Sequence, residues 1–127
     1  MRLKSRVALI TGAGGGIGEA TALRFAEEGA SLALADIQLE RIEDLAQKIS
    51  RKGGNVLSQE MDVRNRNEVQ RAVQKVVKEF RSLDILINNA GLNIAVVAKK
   101  TTEEEWNELM DINLKGTFLC SRLSSSQ

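Results

Sequence analysis

Thr11-Gly12-Ala13-Gly14-Gly15-Gly16-Ile17-Gly18 divides a short apolar run from a longer amphipathic one. Before it, Arg6 to Thr11 carries four apolar residues without alternation, the pattern of a strand buried on both faces. After it, Ile17, Ala20, Thr21 and Phe25 recur at helical spacing until Gly29, a C-terminal stop, which predicts a helix over Ile17 to Glu28. Glycines between a strand and a helix let the chain turn sharply and let a pyrophosphate approach the helix N-terminus. The free N–H groups and dipole there favour anions. The spacing is not G-x-G-x-x-G: counted from Gly12 the last position falls on Ile17, and from Gly14 on Glu19. It is T-G-x-x-x-G-x-G, through Gly12, Gly16 and Gly18. A merely flexible glycine turn is the bland alternative, and the strand–turn–helix setting argues against it.

The alternation continues outward. Strands are predicted at Ser31 to Asp36, Asn55 to Met61 and Leu83 to Asn88, and helices at Leu39 to Lys52 and Asn65 to Phe80. Ile42, Leu45, Ala46 and Ile49 form the buried stripe of one helix; Val69, Ala72, Val73, Val76 and Val77 form that of the next. Strands separated by helices imply βαβ crossovers, and so an α/β fold: a doubly wound, Rossmann-like parallel sheet of four strands with flanking helices. A last helix is expected from Thr102 to about Leu123, opened by a capping box of Thr102 and Glu105, with Ser124 to Gln127 as a polar, frayed end. On that helix Trp106, Leu109, Asn113, Gly116 or Thr117, and Cys120 share one face, which puts an amide on an apolar stripe. Met110, Leu114 and Phe118 make a second stripe, so the helix is expected to be covered on two sides.

Asp36 ends the second strand, 18 residues after Gly18. A carboxylate there can accept hydrogen bonds from the adenosine ribose hydroxyls and repel a 2′-phosphate. The other reading makes it an N-cap for the helix near Leu39. No Arg or Lys stands at Ile37, Gln38 or Gly15 to clamp a phosphate, so the expected cofactor is NAD.

Composition narrows the classes. The 127 residues form one domain's worth of chain, 43% hydrophobic and 28% charged, with a net charge of +1 and interleaved signs. That points away from nucleic acid and from an anionic membrane surface. No apolar run reaches membrane-spanning length, and the basic start, Met1 to Arg6, precedes too short an apolar stretch for a secretory signal. With a single cysteine, Cys120, the expected location is cytoplasmic. There is no His and no Tyr, which removes Ser-His-Asp and Cys-His catalysis and His-based metal sites; no metal is expected.

The glycine pattern, Asp36, Met61-Asp62-Val63, Asn88-Asn89-Ala90-Gly91 and Asn113 within Met110 to Gly116 together resemble the classical short-chain dehydrogenase/reductase family. The likeness spans Val7 to about Phe118, and Glu104 to Asn107 is similar to the 3-oxoacyl-carrier-protein reductase branch. The resemblance implies a cofactor site of Gly12, Gly14, Gly15, Gly16, Ile17, Gly18, Asp36, Asp62, Val63, Asn89, Ala90 and Gly91. Asp62 would meet the adenine amino group and Val63 the adenine pocket; Asn89, Ala90 and Gly91 would pass the ribose and nicotinamide. For Asp62 a helix-capping role stays open, and Asn88 reads as a turn residue. Asn113 would hold a water in a catalytic proton relay, or else tie the helix to the fourth strand. The family's Ser and Tyr-x-x-x-Lys follow a fifth strand, whereas these residues stop 14 past Asn113. The expectation is an NAD-binding domain over residues 1–127, truncated before that strand and inactive alone, with a small-molecule substrate only in a complete form. The alternative is a non-catalytic module that pairs with itself or with a full-length homologue through the last helix, the helix that packs in the family's dimer.

Overall fold

The computed structural model describes residues 1–91 and 101–125. Four strands, β1 (Val7–Thr11), β2 (Ser31–Asp36), β3 (Val56–Glu60) and β4 (Ile85–Ile87), form one parallel sheet in the order β3-β2-β1-β4. Helices α1 (Gly16–Glu27), α2 (Leu39–Arg51) and α3 (Arg66–Phe80) connect them. The strand–helix alternation expected from the sequence is therefore present, with the boundaries of all seven elements within a residue or two.

The alternation of side chains along a strand explains why the apolar runs are unbroken. On one face Val7, Leu9, Ala33 and Ala35 pack with Val69, Ala72, Val73 and Val76 of α3. On the other, Ala8, Ile10, Leu32 and Leu34 pack with Ala22 of α1 and Ile42, Leu45 and Ile49 of α2. Both faces are covered, so no position in β1 is polar-facing except Thr11. Its buried hydroxyl accepts from the N–H groups of Asn89 (3.1 Å) and Ala90 (3.0 Å). That one side chain fastens the end of β1 to the turn after β4.

β4 is three residues long, not the six expected. At its start the Asp84 carboxylate accepts from Val7 N–H, so a side chain replaces a ladder bond. At its end Asn89 N–H turns back to Ile87 O, and the chain leaves the sheet. Among the described residues no strand pairs with the outer edge of β4.

The last helix departs most from expectation. It is helical without a break from Glu103 to Ser125, close to the expected span, but a π turn at Asp111–Lys115 divides it into α4 (Glu103–Met110) and α5 (Gly116–Ser125). A π turn holds an extra residue, so faces before and after it fall out of line. Trp106 is accordingly 54% exposed and Asn113 is exposed, while Gly116, Leu119, Cys120 and Ser124 are buried. The expected stripe through Trp106, Leu109, Asn113 and Cys120 is thus corrected to one of Ile112, Cys120 and Leu123 against the α3 side of the core. The second stripe is uncovered among the described residues, with Leu114 61% and Phe118 54% exposed. Ser124 is buried in α5 rather than frayed; Ser126 and Gln127 lie outside the described residues. Thr102 caps α4 by accepting from Glu105 N–H, as expected.

Burial pushes the Cys120 thiol up to about 11. The fold holds the protonated form, so this group favours folding below the ordinary thiol range and loses that contribution as the pH rises toward 11. Alkylation by iodoacetamide at pH 8 is expected to be slower by about two orders of magnitude in the folded protein than in urea. Equal rates would show that α5 does not stay packed.

Candidate nucleotide site

The C-terminal ends of the parallel strands open onto a cavity of about 750 Å³. Its wall includes Gly12, Gly14, Gly15, Gly16, Asp36, Asp62, Val63, Asn89, Ala90 and Gly91, ten of the positions singled out in the sequence. Two others are placed differently. Ile17 is 77% exposed on the first turn of α1, and Gly18 is buried beneath the loop.

The glycines do different work. Gly12 is left-handed (φ +63°), and a Cβ on it would lie 2.8 Å from Ala90 Cα and 2.9 Å from Ala90 N. A Cβ on Gly18 would meet Gly12 O and Asn89 Nδ2. These two let β1, α1 and the Asn89-Ala90 turn close on one another. Gly15 and Gly16 instead have nothing within 4 Å of such an atom. They face open space at the N-terminus of α1, which no side chain caps. Uncapped N–H groups lining a cavity are what an anion requires.

Asp36 spans the loop. Its Oδ2 accepts from Gly14 N–H and its Oδ1 from Gln38 N–H, each at 2.9 Å. It does not cap α2, whose N-cap is Gln38 with no side-chain cap bond, so that alternative is set aside. Asp62 does not cap α3 either; Asn65 does, accepting from Asn67 and Glu68 N–H. The Asp62 carboxylate is held by Arg64, through Nε to Oδ1 at 3.0 Å and Nη2 to Oδ2 at 2.8 Å. That hydrogen-bonded guanidinium keeps Asp62 below the ordinary carboxylate range, against a smaller opposing effect of burial.

Asn88 and Asn89 divide as the sequence suggested only in part. Asn88 Nδ2 donates to Ser121 Oγ (3.0 Å) and ties β4 to α5. Asn89 lines the cavity, but its amide donates to Gly12 O (2.9 Å) and braces the glycine loop. Asn113 does not line this cavity. Its Oδ1 lies 3.2 Å from where a Cβ on Gly91 would stand, at the cavity's far rim. The sequence reading missed Ile37, Gln38, Arg41, Met61 and Ile112 as wall residues. Ile37 and Gln38 were reachable as neighbours of Asp36. Arg41 and Ile112 come in only through the first turn of α2 and the π turn.

A glycine loop, an uncapped helix and strand-end carboxylates at the edge of a parallel sheet covered by helices define a Rossmann-like α/β protein. The chain belongs to the short-chain dehydrogenase family, whose model matches residues 6–127. It is 41% identical over 122 residues to the hydroxy(phenyl)methylsuccinyl-CoA dehydrogenase subunit BbsD of Thauera aromatica, covering 96% of this chain and 49% of that protein. It is 39% identical over 118 residues to a 3-oxoacyl-(acyl-carrier-protein) reductase of Thermotoga maritima, covering 93% and 48%. Among solved structures it is similar to a short-chain dehydrogenase/reductase from Serratia marcescens, with a TM-score of 0.94 and 30% identity over 99% of this chain and 52% of that one. A 3-ketoacyl-ACP reductase from Sinorhizobium meliloti gives a TM-score of 0.91 and 37% identity, over 94% and 48%. The chain therefore spans about half the length of the relatives it matches.

Proposed function

We propose that this chain is the NAD-binding portion of an oxidoreductase that moves hydride between nicotinamide and an alcohol or carbonyl carbon. The observation that carries the reading is the shared cavity of the uncapped α1 N-terminus and Asp36. In it, the N–H groups of Gly15 and Gly16 would take the pyrophosphate, and Asp36 the ribose hydroxyls. Val63, buried and in the wall, would line the adenine pocket with Asp62 at its edge. Asn89, Ala90 and Gly91 lead from there toward the nicotinamide end, where Asn113 would orient a water. The bound cofactor would supply the hydride acceptor or donor; the protein's part is to bind, orient and exclude. The small-molecule substrate belongs to a complete form with the family's Ser and Tyr-x-x-x-Lys, which these residues lack, and a cytoplasmic setting fits the lone thiol. No helix among the described residues is long and apolar enough to cross a membrane. Calorimetric titration tests the reading: NADH is expected to bind at least about tenfold more tightly than NADPH. Tighter NADPH binding would refute the NAD assignment.

A second reading rests on Leu114 and Phe118, four residues apart and both more than half exposed on the π turn and α5. Such an apolar stripe favours pairing with a second copy or with a full-length homologue. The isolated protein is expected to be dimeric or larger at micromolar concentration in sedimentation, and Leu114→Glu with Phe118→Glu to shift it toward monomer. A wild-type protein that sediments as a folded monomer refutes this reading.

A further inference from the structure

Arg41 is the third residue of α2, and its side chain lies against the glycine loop. A Cβ on Gly14 would stand 2.7 Å from Arg41 Cβ, 3.1 Å from Arg41 Cδ and 2.7 Å from Asp36 Oδ2. One glycine thus forms the floor beneath both a carboxylate and the stem of a guanidinium arm, and all three line the cavity. Arg41 is exposed and has no ion pair among the described residues. Its position opposes the dipole of α2, whose first turn favours anions and disfavours a cation. Asp36, by contrast, already has both oxygens engaged by the N–H groups of Gly14 and Gln38. The adenosine end of the cavity therefore holds one committed anion and one uncommitted cation.

We infer that Arg41 is a specificity-determining residue of this site, a guanidinium set against Asp36 that takes the 2′-phosphate of NADP(H) once the carboxylate charge is removed. The inference rests on the nicotinamide-nucleotide reading and deepens it. No basic residue stands at Gly15, Ile37 or Gln38, but the first turn of α2 returns position 41 to the same loop. Discrimination is then a difference of two opposed interactions, repulsion by Asp36 and a charge-assisted bond from Arg41. Preference for NAD(H) follows while Asp36 is charged, and a single neutralising change is enough to admit the phosphorylated cofactor.

The test is a double-mutant cycle read by calorimetry with NADH and NADPH on the wild type, Asp36→Asn, Arg41→Gln and the double variant. Asn removes the charge and keeps an acceptor oxygen for one of the two loop N–H groups, and circular dichroism checks that each variant folds. With Arg41 present, Asp36→Asn is expected to shift the ratio of the two dissociation constants toward NADPH by about tenfold or more. In the double variant the shift is expected to fall below about threefold. An equal shift with Gln at position 41 overturns the inference and leaves the nucleotide site standing. If 5′-AMP, NADH and NADPH all fail to bind the folded wild type, the nucleotide reading is overturned and this inference with it.

Discussion

Gly12→Ala is expected to lower stability by about 2–5 kcal/mol, enough to unfold much of a small domain. Two costs combine. Gly12 has φ +63°, a left-handed conformation that costs an L side chain about 1–2 kcal/mol. The added Cβ would also press on Ala90 Cα, Ala90 N and Asn89 O at 2.8, 2.9 and 3.1 Å. All three are backbone atoms, and the Thr11 hydroxyl holds that backbone in place by accepting from both N–H groups. No side-chain rotation relieves the contact, so a further penalty of about 1–3 kcal/mol follows, as for overpacking a core. Gly15→Ala is the control. Its φ of −179° is extended, and nothing lies within 4 Å of the added atom. Its stability is expected within about 0.5 kcal/mol of wild type. Urea unfolding followed by circular dichroism separates the two. A Gly12→Ala midpoint equal to wild type would show that the loop and the Asn89-Ala90 turn can move apart, and that the packing argument is wrong.

Where burial alone decides structure, the residues could be read directly. Val7 to Ile10 and Leu32 to Ala35 are apolar at every position because both faces of the sheet are covered, and the strands fall where those runs are. The glycine loop was legible for the same reason, since glycine clusters have few uses between a buried strand and a helix. The faces of the last helix were not. Periodicity assumes 3.6 residues per turn, and the π turn at Asp111–Lys115 breaks that assumption without any Pro or Gly inside it to announce it. Gly116, which follows, lies close to the turn after β3: a Cβ there would lie 2.5 Å from Val63 Cγ2. That contact is invisible in one dimension. The site divides along the same line. Asp36 was found by position and Asp62 by the family resemblance, but that Asp36 latches Gly14 and that Arg64 grips Asp62 depends on how short turns fold back. Arg41 was passed over because it lies five residues beyond the strand end that a linear motif inspects.

The 127-residue polypeptide by itself is expected to give no dehydrogenase or reductase turnover. Reducing a carbonyl requires a proton as well as a hydride, and a positioned acid contributes about 10²–10⁴-fold in rate. The chain has no His and no Tyr. The carboxylates in the cavity wall, Asp36 and Asp62, sit by the adenosine end in the proposed arrangement, and Arg64 keeps Asp62 ionised well below neutral pH. Cys120 is buried in α5, with its thiol pushed up to about 11 and no opening onto the cavity. Asn113 can orient a water but has no proton to give. Orientation of substrate against the nicotinamide, worth as much as about 7–11 kcal/mol in favourable cases, needs a second wall that the described residues do not provide. NADH oxidation assayed with a panel of ketones and acyl thioesters is therefore expected to stay at the background rate. Adding a separately expressed C-terminal half from a relative is expected to restore turnover if the nucleotide portion is competent. Turnover by the polypeptide alone, abolished by Asn113→Ala or by Asp36→Arg, would contradict this account and point to an acid that the cavity wall does not reveal.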